Sequence, residues 1–236
     1  MMPAPARLKL MLSLAIDTSS NVCAAAVHDT NRDIVLAQAS EELERGHAER
    51  LMDVVNGVLV AAKISYGGIE RIIVTTGPGS FTGVRVGLAA ARGMALGLGI
   101  EICGVSTLET AHWHAVNLGA GAETALLVVM DARRDEAYCQ IFGLNGGKGA
   151  PFVAKYPEIA AMLEANVGWQ LCGSGAARVN NIGGGGFAIL HDLAFAPIAA
   201  ISQFGASLTC DNHRPEPLYL RAPDAKSQLG YALQRA

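Results

Sequence analysis

The order of apolar runs in the first hundred residues restricts the possible folds more than any other feature. Apolar runs from Leu10 to Ile16 and from Val22 to Val27 flank a short polar bend, which predicts a β-hairpin. A third strand is predicted from Asp33 to Ser40. Apolar residues then recur at helical spacing from His47 to Ala62, which predicts a helix with one buried face.

Strands and helices alternate in the next part of the chain. A β-branched run from Arg71 to Thr76 is typical of a buried parallel strand, and Glu101 to Val105 predicts another. Between them, Val84 to Leu98 predicts a helix that is capped by Thr82 and is rich in small residues. The pattern repeats imperfectly after about residue 106 and becomes weak beyond Gly143. Three strands followed by alternating helices and strands predict an α/β fold.

Composition excludes several functional classes. With 236 residues, of which 51% are apolar and 17% charged, the chain can bury a large core. Its net charge of -3 gives no basic field for tight, direct binding of a nucleic acid. No apolar run reaches the length of a membrane span, and no signal peptide is recognised. Five widely spaced cysteines without a C-x-x-C pair predict buried thiols in a reducing cytoplasm.

The polar bend at Asp17, Thr18 and Ser19 has two interpretations. A carboxylate and backbone N–H groups at a hairpin bend could contact a metal-bound phosphate. The same residues also close turns by local hydrogen bonds. Because such turns are common, the local pattern favours the turn.

The loop from Gly77 to Gly83 precedes a helix and is rich in glycine, as phosphate-binding loops are. It lacks both the Gly-Lys-Ser/Thr ending and the G-x-G-x-x-G spacing of nucleotide motifs. Ser80 does not lie in a G-x-S-x-G motif, and His112 and His114 are too close in sequence to form a helical metal pair. We therefore predict a structural or interface loop, no catalytic set and no metal site.

Six segments, taken together and in order, resemble the TsaB (YeaZ) family. They are Leu14–Ser20, His47–Leu51, Gly77–Arg85, Gly104–Leu108, Asp131–Arg134 and Pro217–Arg221. The resemblance implies the two-lobed fold of actin, sugar kinases and heat-shock chaperone ATPases. This is an actin-like (ASKHA, ribonuclease H-like) α/β fold with mixed sheets and a reduced second lobe. We expect the lobes to occupy residues 11–105 and 106–236.

The resemblance also implies a function. The chain is expected to be a non-catalytic, cytoplasmic partner of TsaD (YgjD), joined by the ATPase TsaE, in tRNA threonylcarbamoyladenosine synthesis. ATP and threonylcarbamoyl-AMP are then used by the partner complex, and tRNA is contacted only through that complex. The metal-binding H-x-x-x-H motif of TsaD would fall on Thr107 and Ala111, so no metal or other cofactor is expected here. Asp17, Thr18 and Ser19 would be a vestigial nucleotide hairpin.

By resemblance, the partner binds the two helices of the first lobe, and the chain could pair with itself when TsaD is absent. Two alternatives remain open: an actin-fold ATPase or kinase that uses Asp17, and a peptidase with Ser80 as nucleophile. The expected interface combines apolar anchors with small residues that allow close helix packing. Its residues are His47, Leu51, Val54, Val55, Val58, Gly83, Arg85, Gly87, Ala90 and Ala91.

Overall fold

The computed structural model describes residues 11–119, 124–143, 147–166 and 168–221, and these form two lobes, each built on a five-stranded mixed sheet. The strands of the first sheet are β1 (Leu12–Asp17), β2 (Val22–Asp29), β3 (Ile34–Glu42), β4 (Arg71–Gly77) and β5 (Glu101–Ser106). The strands of the second sheet are β6 (Leu126–Asp131), β7 (Glu136–Phe142), β8 (Phe152–Lys155), β9 (Gln170–Cys172) and β10 (Ala188–His191).

The two sheets share one topology. The first has the order β3-β2-β1-β4-β5 and the second has β8-β7-β6-β9-β10. In each, the first three strands form an antiparallel meander and the last two add in parallel. The second lobe therefore repeats the first, although its last three strands have only three or four residues each.

Three helices follow the meander of each lobe. They are α1 (His47–Ala62), α2 (Phe81–Leu98) and α3 (Thr107–Asn117) in the first repeat, and α4 (Tyr156–Glu164), α5 (Ala176–Ile182) and α6 (Ile198–Ser207) in the second. The last helix of each repeat reaches the other lobe: α3 packs against β6, β7 and β9, and α6 packs against every strand of the first sheet. The two lobes are thus interlocked.

Helices α1 and α2 cover one face of the first sheet, and α6 covers the other face. The buried stripe of α1 follows the predicted helical spacing because the apolar side chains return to the sheet every three or four residues. Gly205 lets α6 approach Ile73 of β4, since an added Cβ there would contact that side chain. Close packing on both faces fixes the position of the strand ends that border the cleft between the lobes.

The fold class predicted from sequence is confirmed, as are the elements of the first lobe and the short, loop-rich second lobe. The predicted cap of α2 is wrong. The helix begins at Phe81, and its cap is Ser80, whose Oγ accepts a hydrogen bond from the N–H of Gly83. The division at residues 105 and 106 stays a prediction; α6, from the later part of the chain, packs on the first sheet. In the described residues, no helix has both the length and the apolar character to span a membrane.

Candidate functional site

A cleft of about 1060 Å³ separates the two lobes. The segments that border it include the bend between β1 and β2, the loop from residue 77 to 83, the hairpin between β6 and β7, and residues 218–221. His47, one of the predicted interface residues, is half-buried and also lines this cleft, and its Nε2 is buried without a hydrogen-bond partner. The cleft therefore brings together residues from both lobes.

Asp17 and Ser19 line the cleft, and both are almost completely buried, as is Thr18 between them. One carboxylate oxygen of Asp17, Oδ1, accepts hydrogen bonds from the Ser19 backbone N–H (2.8 Å), the Ser19 hydroxyl (2.7 Å) and the Thr75 hydroxyl (2.6 Å). Three donors on one oxygen fix the carboxylate within the fold. The turn interpretation of this bend therefore describes the observed geometry.

The glycine-rich loop packs directly on this bend. The N–H of Ser80 donates to the carbonyl of Ser19 (2.6 Å), and the Thr18 hydroxyl donates to the carbonyl of Gly83 (2.7 Å). A Cβ added at Gly79 or Gly83 would overlap the carbonyl oxygen of Ser19 or Thr18 respectively. The glycines are required for this contact between two backbones, so the loop holds the bend in place.

The second lobe contributes an equally constrained edge. The hydroxyl of Tyr156 donates to Asp131 Oδ1 (3.0 Å), and Ser174 accepts from the backbone N–H of Asp131. Burial and the bond to Asp131 raise the pKa of Tyr156, so it stays protonated as the donor. Arg178 stacks over the Tyr156 ring at 4.1 Å and also pairs with Asp135.

The C-terminal strap, defined as residues 213–221, connects the lobes along the rim of the cleft. Its carbonyl at His213 accepts from the N–H of Gly104 (2.7 Å), and its N–H at Leu218 donates to Thr76 (2.8 Å). Arg221 reaches the second lobe, where it pairs with Glu136 at 3.0 Å. Gly104 makes room for the strap, because a Cβ there would lie 2.5 Å from the carbonyl oxygen of Arg214.

Helix α2 is fastened to this strap. The guanidinium of Arg85 lies 3.7 Å from the centre of the Phe81 ring and donates to the Tyr219 hydroxyl (2.9 Å). The Phe81 and Tyr219 rings contact each other with centroids 5.0 Å apart. Arg92, further along the exposed side of α2, donates to the carbonyl of Pro215. Arg85, predicted as an interface residue, is exposed but already engaged within the chain.

The apolar anchors expected at the interface are core residues. Leu51, Val54, Val55 and Val58 are each no more than 4% exposed and pack against the first sheet. Their side chains cannot contact a partner while the lobe is folded. The prediction for these four residues is wrong because the stripe faces the sheet and α2 leaves none of it uncovered.

The small residues of α2 also serve the fold. Gly83 and Ala91 are buried, and Gly87 leaves space for the Thr18 hydroxyl, which would lie 2.5 Å from an added Cβ. For Gly83 and Gly87, the close approach inferred from the glycines therefore occurs within the chain, between the helix and the bend. Ala90 is half-buried against the same core.

The exposed side of α1 and α2 consists of other residues. Val60 is 77% exposed, Leu96 is 86% exposed and Met52 is 40% exposed. Nothing lies within 4 Å of a Cβ added at Gly57, Gly93 or Gly97. Val60 and Leu96 fall outside the buried stripes of α1 and α2. The helical periodicity of the sequence is therefore sufficient to predict that these two apolar side chains face outward.

The remaining predicted positions have structural contacts. The Thr107 hydroxyl donates to the carbonyl of Pro78 (2.7 Å), and Ala111 is buried. His112 stacks on Phe142 with ring centroids 3.9 Å apart. Over the ranges that the structure describes, no group of three or more His, Cys, Asp or Glu residues is placed to hold a metal ion.

Comparison with known proteins bears on this arrangement. The family model "TsaD: tRNA N6-adenosine threonylcarbamoyltransferase" matches residues 34–163. The tRNA threonylcarbamoyladenosine biosynthesis protein TsaB of Escherichia coli is 31% identical over 225 residues, which cover 89% of this chain and 95% of that protein. The protein of the same name from Bacillus subtilis is 34% identical over 137 residues, 58% of this chain and 57% of that protein.

Solved structures agree with these relatives. YeaZ from Pseudomonas aeruginosa has a TM-score of 0.72 at 24% identity and covers 89% of this chain and 100% of its own. A second structure from that organism, described as an uncharacterized protein with similarity to peptidase YEAZ, has a TM-score of 0.70 at 26% identity and covers 90% of this chain and all of its own. The repeated sheets, the exchanged helices and the cleft between them define an actin-like protein. The chain belongs to the TsaB (YeaZ) family.

Proposed function

We propose that this chain acts in tRNA threonylcarbamoyladenosine biosynthesis as a non-catalytic subunit that binds TsaD, with TsaE joining the pair. The observation that carries the proposal is the exposed apolar surface of α1 and α2, which we call the α1–α2 face and define as Met52, Gly57, Val60, Gly93, Leu96 and Gly97. It occurs in a chain whose relatives are named for this pathway.

Helices α1 and α2 are neighbours on the first sheet. Helix α1 returns the chain from β3 to β4, and α2 returns it from β4 to β5. Because β3, β4 and β5 all run in the direction of β1, the two helices run parallel to each other on the same side of the sheet. Val60 and Leu96 both lie near the C-terminal ends of their helices, so they occupy the same end of the face.

Three glycines on this face allow close helix packing. Gly57, Gly93 and Gly97 have open space where a side chain would stand. Glycine inside a helix costs about 1 kcal/mol relative to alanine. Unlike Gly83 and Gly87, none of these three glycines makes room for another part of the chain. A partner helix that approaches the bare backbone explains them, since the distance between packed helices depends on the side chains at the contact.

The same surface accommodates a second copy of the chain when TsaD is absent. A two-fold dimer uses one patch on both subunits, and an exposed apolar helix pair fits this requirement. We therefore expect homodimer and heterodimer to compete for the α1–α2 face.

The cleft supports a non-catalytic role. Asp17 Oδ1 is held by three donors within the chain, and the N–H of Ser80 is bonded to the bend. The Ser80 hydroxyl accepts the Gly83 N–H as a helix cap, which is a structural use of a side chain that the peptidase alternative needs as a nucleophile. We propose no cofactor for this chain itself, with ATP and threonylcarbamoyl-AMP used by the complex, and a cytoplasmic location beside its tRNA substrate.

A reconstitution assay tests this function. Purified TsaD and TsaE, with ATP, threonylcarbamoyl-AMP and unmodified tRNA, are assayed with and without this chain. We expect tRNA modification to depend on the chain, while the chain alone hydrolyses no ATP. Equal modification in its absence would contradict the accessory role.

Titration of ATP into the isolated chain separates the proposal from the ATPase or kinase alternative. We expect no saturable heat up to millimolar ATP with Mg²⁺. Tight binding followed by turnover would favour the alternative.

A further inference from the structure

Two of the five cysteines lie together at the point where the chain enters the C-terminal strap. Cys103 lies on β5 and is completely buried, and Cys210 lies in a short 3-10 helix (Cys210–Asn212) and is half-buried. Both side chains belong to the apolar cluster beneath α6, where the short helix packs against β5, and the two thiols are near enough that each affects the pKa of the other. The bond from Gly104 to His213 fixes the backbones on either side of them.

The surroundings make the two thiols unequal. Cys210 borders a shallow depression of about 330 Å³ that is lined by Glu101, Asp211 and Arg214 among others, so small solutes reach it from solvent. Burial has the largest effect on the Cys210 thiol and raises its pKa, and the charge of Arg71, which donates to the carbonyl of Leu208, opposes this effect in part. Cys103 has no such access, and burial raises its pKa to about 12.

The other three cysteines offer a contrast within the same chain. Cys23, Cys139 and Cys172 are buried, and burial raises the pKa of each. The thiols of Cys139 and Cys172 donate to the backbone carbonyls of Ala137 and Ala111. No other cysteine is among the groups that shift the pKa of these thiols, and, as buried groups, they have no contact with solvent.

We propose that Cys103 and Cys210 form an oxidation site at which a hydroperoxide converts the two thiols into a disulfide. The thiolate of Cys210 attacks one oxygen of hydrogen peroxide, the O–O bond breaks, and sulfenic acid forms with release of hydroxide. The sulfur of Cys103 then attacks the sulfenic sulfur, its proton leaves with the hydroxyl group as water, and the S–S bond forms. Overall, two thiols lose two electrons and two protons, and one peroxide becomes two waters.

The bond would tie the start of the C-terminal strap to the edge of the first sheet. Residues 103 and 210 enclose most of the second lobe, so the disulfide closes a long loop and restricts the unfolded chain. We expect the oxidised protein to unfold at a temperature several degrees above that of the reduced protein. The proposal is independent of the proposed function, because its readouts are covalent and thermal.

Peptide mapping of the full chain tests the proposal. After mild hydrogen peroxide treatment, we expect the protein to lose two of its five free thiols, its intact mass to fall by two hydrogens, and one cross-linked peptide to join Cys103 to Cys210. Oxidation of Cys210 to sulfinic acid without a cross-link would overturn the proposal. A disulfide between two molecules, or one involving Cys23, Cys139 or Cys172, would overturn it as well.

Two single variants resolve the order of the steps. In Cys103→Ser, we expect dimedone to trap a sulfenic acid at Cys210, and in Cys210→Ser, we expect the remaining four thiols to survive the same treatment. Rapid oxidation of Cys103 in Cys210→Ser would contradict the assigned roles. If Cys103→Ser folds poorly, Cys103→Ala gives the same readout, and mapping of the wild-type chain needs no variant.

Discussion

At the scale of single residues, glycine allows the backbone of α2 to contact the bend between β1 and β2. Gly83 has no room for a Cβ because the carbonyl oxygen of Thr18 occupies that position, whereas Gly93 of the same helix faces open space. We expect Gly83→Ala to destabilise the protein by about 2–3 kcal/mol or more, since the backbone of the bend must move. Gly93→Ala is the matched control and should stabilise it by about 0.5–1 kcal/mol. Urea unfolding monitored by circular dichroism measures both, and equal effects of the two substitutions would refute this account of the loop.

Three partly buried histidines should make the stability of the protein depend on pH. Burial is the main cause that lowers the pKa values of His112, His114 and His191, and the last two lie with ring centroids 5.4 Å apart. The unfolded chain therefore binds more protons than the folded chain once the pH falls below about 6.5, the ordinary histidine pKa. The stability contributed by the neutral rings is present above that pH and is lost as the pH falls further.

Thermal unfolding at a series of pH values checks this expectation. We expect the melting temperature to fall between about pH 7 and pH 5. His191→Gln keeps a donor for the carbonyl of Ala111 but cannot gain charge, so the decrease should be smaller in this variant. A variant with the same pH dependence as the wild type would show that His191 does not contribute.

At the scale of elements, side-chain contacts hold the C-terminal strap against α2. Tyr219 is 41% exposed, yet its ring contacts Phe81 and its hydroxyl accepts from Arg85. We expect Tyr219→Ala to cost about 1–2 kcal/mol of stability and to speed proteolysis within the strap. Tyr219→Phe retains the ring and should lose less than half as much. If both variants resist protease as the wild type does, the strap is not held by this contact.

The elements of the first lobe were predictable because their periodicity is strong. A 16-residue helix and strands of six to nine residues contain enough buried positions for the spacing of their apolar residues to show whether they are helices or strands. In the second lobe, β9 has three residues and β10 has four, which is too short for any period to emerge. Ser80 and Thr82 are both good capping residues, so the sequence alone does not identify the cap of α2, and packing against Thr18 decides between them.

The candidate site was predictable only in its location. The bend, the glycine loop and the two helices were all identified, but burial depends on contacts between distant parts of the chain. Val55 and Val60 are the same residue type on the same helix, and one is completely buried while the other is 77% exposed. The engagement of Arg85 by Tyr219 joins residues more than a hundred positions apart, which no local pattern contains.

The whole molecule is a duplicated actin-like unit whose cleft is braced from both sides. The bend and the loop close its floor on one side, Tyr156 holds Asp131 on the other, and Arg221 spans the rim to Glu136. The lobes also exchange α3 and α6. These contacts favour a rigid body that presents its outer helices, and the function proposed for this chain depends on that outer surface.

Calorimetric titration of TsaD with variants of the α1–α2 face tests this central claim most directly. Val60→Asp and Leu96→Asp each place a charge at an exposed position, while Ile182→Asp, at an exposed apolar position on α5 that is 46% exposed, is the matched control. Unfolding curves should show all three variants as stable as the wild type within about 0.5 kcal/mol. We expect the first two to weaken TsaD binding at least about tenfold, a loss of about 1.4 kcal/mol, and the control to bind as the wild type does. Unchanged affinity in both face variants would contradict the account.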